Sequence, residues 1–191
     1  MGRSIRGAHS ECGGAPLIFV PTDVDGVLRI EPERHEDERG YFARTFCQRE
    51  FEARGRPFHP VQCSTSFNAR LHTLRGLHYQ AEPYGEDKLV RCTRGVVFDV
   101  AVDLRPSSVT FLRVTTCVLS PDNGVQLYIP SGCAHGFLTL AHNSEVEYMM
   151  TEFFVPEAAR GVRWNDPKLV IDWPAHPAVL SDRDRNWPEL G

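Results

Sequence analysis

Between residues 75 and 91 one imidazole stands among fixed cations. His78 follows Arg75 by three positions, and Lys88 and Arg91 come next in the run KLVR. Three permanent positive charges within seventeen residues suit an anionic ligand, because arginine grips phosphate or carboxylate with a two-pronged fork. A histidine in that company is a packed core residue, a metal ligand, or a general base facing an anionic substrate. Period-two alternation from Leu74 sets Gly76, His78 and Gln80 on one strand face and Arg75, Leu77 and Tyr79 on the other. A bulge at Gly76 would let Arg75 and His78 converge.

Two more segments carry groups able to move protons. In YIPSGCAHGFLTL, His135 follows a Pro-Ser-Gly turn and opens a strand, where it can line a pocket at a barrel mouth or bond its own loop. In SEVEYMMTEFF, alternation puts Val146, Tyr148 and Met150 on one face, so Tyr148 points inward with the apolar set, and its hydroxyl then needs a partner. A metal is not expected. His78 and His135 sit on separate strands with no second histidine beside either, which is not a three-ligand set. The cysteines at 12, 47, 63, 92, 117 and 133 form no CxxC pair and read as small buried hydrophobes in a reducing compartment.

The elements that must hold these groups read as strands. VVFDVAVDL (96–104) alternates strictly, with Phe98, Val100, Val102 and Leu104 on one face and Asp99 and Asp103 on the other. TFLRVTTCVLS (110–120), VQLYIP, HGFLTL and EVEYMM follow, divided by PDNG, PSG and similar turns. Only Cys47–Gly55 and Ser181–Leu190 look helical, the second with Ser181 as N-cap. Many short strands at near ten-residue spacing predict an all-β fold, and the length suits a double-sheet jelly roll with short flanking helices. Residues 1–16, rich in Gly and Ser, read as a flexible arm before a single domain over 17–191. A net charge of −4 with no basic block excludes nucleic-acid binding, and no apolar run is long enough to span a membrane. The N-terminus has no apolar signal segment, so a cytoplasmic location is expected.

The runs LRGLHYQ, KLVR, FDVAVDLR, YIPSGCAHGF and RGVRWNDP…IDWP, with DERGYFARTF before them and LSDRD after, resemble the dTDP-4-dehydrorhamnose 3,5-epimerase family, sugar-nucleotide epimerases of the cupin superfamily. The resemblance covers about residues 24 to 188. It implies a homodimeric jelly roll, without metal or organic cofactor, that inverts C3 and C5 of a 4-keto-6-deoxyhexose on a nucleoside diphosphate. It further implies His78 as general base, Asp184 as the carboxylate orienting it, and Tyr148 as general acid. Lys88 and His135 would steady the 4-keto oxygen and its surroundings. Arg75 and Arg39 would bind the diphosphate, and Phe42 and Gln62 the nucleotide. Phe154, where the family has a tyrosine, would stack on the base, and Arg183 in LSDRD joins the substrate-binding set. Two positions depart from the family pattern: Arg44 replaces an acid, and QCSTSFN lacks an asparagine. They leave open a GDP-, CDP- or UDP-sugar, a C3-only epimerase, or a related ketoisomerase.

Overall fold

The structure, a computed structural model, describes residues 16–191; the expected arm lies outside that range except for Pro16, and so does Cys12. Thirteen strands and two short α-helices follow in order: β1 (Leu17–Pro21), β2 (Leu28–Pro32), β3 (Arg34–Asp37), β4 (Gly40–Ala43), α1 (Gln48–Ala53), β5 (Gln62–Asn68), β6 (Leu74–Gln80), β7 (Lys88–Arg94), β8 (Val97–Asp103), β9 (Val114–Leu119), β10 (Gln126–Ile129), β11 (Cys133–Thr139), β12 (Ser144–Met150), β13 (Ala159–Gly161) and α2 (Asp182–Arg185). One sheet runs β1-β2-β10-β7-β12-β5 and the other β13-β6-β11-β8-β9, with antiparallel pairing throughout; β3 and β4 form a separate hairpin. This is the all-β, two-sheet jelly roll expected from the strand spacing.

Apolar residues from both sheets meet between them: Val90, Leu127, Ile129 and Val146 from the first, Val97, Ala101 and Phe137 from the second. Each sheet is also covered on its outer face. Phe51 of α1 and Phe58 after it pack with Leu89 and Tyr128 on the six-stranded sheet. Val162, Leu169 and Trp173 of the C-terminal segment cover Leu77, Val100 and Val102 on the five-stranded one. Central strands are therefore buried on both faces, which is why β10 and β11 read as nearly continuous apolar runs. Helix α1 has no side-chain cap and only six residues. Too short to stand alone, it is held by the burial of Phe51 among Phe19, Phe46, Phe58 and Tyr128.

Several local expectations are corrected. The segment from Thr110 starts as a turn, since strand β9 begins only at Val114 and Thr110 Oγ1 is tied to the Asp103 carboxylate at 2.6 Å. Helix α2 is capped by Ser181, whose Oγ accepts from the Asp184 amide at 3.0 Å, but it stops at Arg185 rather than reaching Leu190. Pro188 cannot continue it, and the Leu190 amide is drawn to Asp166 Oδ2 at 2.6 Å instead. Among the described cysteines, all free, Cys92 and Cys133 are buried as expected; Cys63 is exposed because it lies on edge strand β5, and Cys47 and Cys117 are half-buried. Arg44 is engaged by Glu50 Oε1 at 2.7 Å, while the other oxygen of Glu50 accepts the Leu17 amide. That pairing ties α1 to the first strand.

Candidate active site

Gly76 sets the geometry of the site. Its φ of +133° lies where side chains are strained, and a Cβ there would collide with the backbone of Gly136 on the neighbouring strand. At this point the pairing of β6 with β11 shifts register between His135 and Phe137. Strict alternation is broken, so Arg75 and His78 both reach one cavity while Leu77 goes into the outer core. The expected bulge is present; the face assignment of Arg75 is corrected by it.

The cavity, about 450 Å³, opens between the two sheets. Its volume suits a substantial ligand. His78 and His135, cross-strand partners on β6 and β11, line the five-stranded wall. Lys88 from β7 and Tyr148 from β12 line the six-stranded wall opposite. Gln62, Arg75, Phe154 and Arg183 also reach it. A second cleft of about 220 Å³, beside the β3–β4 hairpin, has neither imidazole nor carboxylate in its lining.

Each histidine has its own carboxylate. His78 Nε2 lies 2.5 Å from Asp184 Oδ1, and His135 Nε2 lies 2.8 Å from Asp99 Oδ1. The two pairs differ in exposure and charge. The His78 side chain is 41% exposed and that of His135 only 5%. Burial works to raise the Asp184 carboxyl, but hydrogen bonds from His78, Ser181 and Trp187 outweigh it and hold it below the ordinary carboxylate range. Burial raises Asp99 instead, with His135 and Lys88 opposing; its Oδ2 has no protein partner. Asp184 is thus an anion able to support an imidazolium, and the accessible ring is the one it holds.

On the opposite wall, burial and then the Asp99 charge push the Tyr148 phenol far above its usual range, with Arg75 and a Ser66 hydrogen bond opposing. The ring meets His135 edge-on, with centroids 5.9 Å apart. Lys88 donates to the His78 carbonyl at 3.2 Å and pairs with Glu86 at 3.0 Å. An ammonium has three donors, so one remains for a ligand. Arg75 is braced by Asn68 Oδ1 at 2.7 Å. Gln62 is partly committed, its Oε1 accepting the Phe154 amide at 2.9 Å, and Gln80 accepts the Val155 amide. Together the two glutamines fix Phe154 at the rim.

Two expected residues do not reach the cavity within one chain. Arg39 and Phe42 sit on the β3–β4 hairpin; Arg39 is paired only with Asp37 and Phe42 is 70% exposed. Three residues escaped the sequence reading as site residues. Asp99 was signalled by a carboxylate alternating with core valines, and Glu86 by its position two before Lys88. Trp187, which donates to Asp184 Oδ1 at 3.3 Å, had no local signal. Among the described residues no group of three His, Cys, Asp or Glu side chains could hold a metal ion, and no helix is long and apolar enough to cross a membrane.

A base, a phenol on the facing wall, an ammonium and several guanidinium groups can together enolise a ketone attached to an anion. Comparison with known proteins leads the same way. A family model described as dTDP-4-dehydrorhamnose 3,5-epimerase matches residues 21–191. The enzyme of that name from Escherichia coli K12 is 46% identical over 170 residues, covering 88% of this chain and 91% of its own. The Bacillus anthracis enzyme, solved with TDP and pyrophosphate bound, superposes with a TM-score of 0.88 at 37% identity, covering 92% of this chain and 100% of its own. The Legionella pneumophila enzyme, solved with dTDP-4-keto-L-rhamnose, gives 0.82 at 37% identity over 88% of this chain and 90% of its own. The chain belongs to the dTDP-4-dehydrorhamnose 3,5-epimerase family.

Proposed function

We propose that this chain is an isomerase that inverts C3 and C5 of a dTDP-bound 4-keto-6-deoxyhexose by proton removal and return through an enolate. The observation that carries the reading is the facing pair: the Asp184-held imidazole of His78 on one wall and the protonated phenol of Tyr148 on the other. Protons on C3 and C5 are acidic only because both carbons flank the C4 ketone. His78 takes the proton, Asp184 supports the imidazolium, and Lys88 offers its remaining N–H to the developing enolate oxygen. Tyr148 returns a proton to the far face, which inversion requires. Arg75 and Arg183 hold the diphosphate end, so binding energy remote from the ring positions the reacting carbons. His135 and Gln62 complete the sugar and nucleotide contacts, and Phe154 gives the base a stacking face. In D2O the product should carry deuterium at both C3 and C5; label at C3 alone would make the chain a C3-only epimerase.

The working unit we propose is a homodimer in the cytoplasm. Arg39 and Phe42 project on a hairpin away from their own cavity, yet the family resemblance makes them nucleotide ligands. An exposed aromatic and guanidinium on a projecting hairpin can complete the cavity of a second copy. Light scattering at assay concentration should give a dimer, and a fully active monomer would rule the arrangement out.

A further inference from the structure

The reaction as read above uses Asp184 but leaves its second donor unexplained. Trp187 donates Nε1–H to the same Oδ1 that faces His78, at 3.3 Å, and its ring lies edge-on to the imidazole with centroids 6.2 Å apart. Two features seat the indole there. Arg183 stacks over its face, 4.9 Å from guanidinium carbon to ring centroid. Its other support is Gly161, where an added Cβ would overlap the ring atoms around Nε1. Gly161 is the cross-strand partner of His78 in the β13–β6 pair. The missing side chain directly opposite the base is therefore the space the indole fills.

We propose that Trp187 is a positioning residue for proton abstraction: seated over Gly161, it holds Asp184 on His78 and shares the carboxylate's charge, so that the imidazole is supported without being made too basic to release its proton. A carboxylate bonded only to the imidazole would concentrate its charge on that partner and favour the imidazolium. A base trapped as imidazolium is inactive in the free enzyme. The indole N–H is the counterweight, and helix α2 delivers both the carboxylate and, one turn on, its donor.

This rests on the reading of His78 as base, and the experiment separates the two. Trp187→Phe keeps an aromatic ring for the slot and for Arg183 but removes the N–H. Two quantities are followed in wild type and variant: the NMR titration of the His78 ring, assigned with His78→Asn, and the acid limb of the kcat/KM profile. Lys88 and Glu86 from β7, His135 with Asp99 behind it, Arg160 from β13, Tyr148 from β12 and Arg75 and Arg183 are the other titratable or charged groups around this dyad. Neither substitution used here changes any of them, so the difference isolates the indole donor. The sign follows from the base's role. A more stabilised imidazolium titrates at higher pH, the neutral base is scarcer on the acid side, and the acid limb moves up. Both midpoints should rise by about half a pH unit or more, the scale of a charge-assisted hydrogen bond lost. Gly161→Ala, which evicts the ring, should give the same displacement, and Gly161→Ala with Trp187→Phe should add nothing further. If the ring titration rises and the rate profile does not, the Trp187 device stands and His78 is not the base. If the ring titrates in Trp187→Phe as in wild type, the inference is overturned.

Discussion

His78→Ala should abolish solvent exchange and epimerisation at both carbons together, by about 10²–10⁴-fold, the usual contribution of a positioned base. The expectation rests on which imidazole is accessible and supported, since the cavity holds two. His135 is nearly closed off, and its partner Asp99 is raised by burial, so that carboxyl gives less support to an imidazolium. His78 is reachable, and Asp184 is held ionised beside it. Among the described residues Nδ1 of His78 has no hydrogen-bond partner, which leaves a ring nitrogen for substrate. Truncation should not endanger the fold, because the side chain is partly exposed and outside the three hydrophobic clusters. Exchange followed by NMR in D2O would check this. Exchange that survives at one carbon and is lost at the other would assign that carbon to the His135–Asp99 pair.

The sequence carried the fold well where burial follows a simple period. Strand β8 is the clearest instance: Phe98, Val100 and Val102 face the outer cluster, while Asp99, Ala101 and Asp103 turn the other way, as alternation requires. It carried the site less evenly. His78 and Tyr148 lie where strand periodicity and motif put them. Arg75 does not, because the register shift at Gly76 is a tertiary event: it needs the Gly136 backbone pressed against that glycine, and no local pattern contains the contact. Asp99 was visible as a residue but not as a partner, since its histidine lies on a different strand. Arg39 and Phe42 were legible as ligands only by resemblance, and their place in one chain, on an exposed hairpin, has meaning only with a second copy. The indole over Gly161 joins residues 26 positions apart through a missing Cβ, a relation that linear reading cannot express.

Tyr148→Phe should separate exchange from inversion. The substitution keeps the ring that packs against the inter-sheet core and meets His135 edge-on. It removes the hydroxyl and its hydrogen bond with Ser66, at a cost of about 0.5–1.5 kcal/mol in stability, so the fold should hold. Chemically the loss is selective. Burial and the nearby Asp99 charge keep the phenol protonated, so its part is to deliver a proton and not to remove one. With His78 and Lys88 intact, the enolate still forms, and the imidazolium can return a proton to the face it left. Deuterium should therefore enter the recovered 4-keto sugar while inversion falls by about 10²–10⁴-fold, the scale of a positioned acid. His78→Ala loses both signals because no enolate is made, and the contrast between the variants identifies which wall takes the proton and which returns it. Equal loss of exchange and inversion in Tyr148→Phe would show that the hydroxyl is needed before the enolate forms. Retention of both would make Tyr148 a packing residue, and the far-face proton would then have to come from another group on the β7–β12 wall, where Lys88 is the nearest in kind.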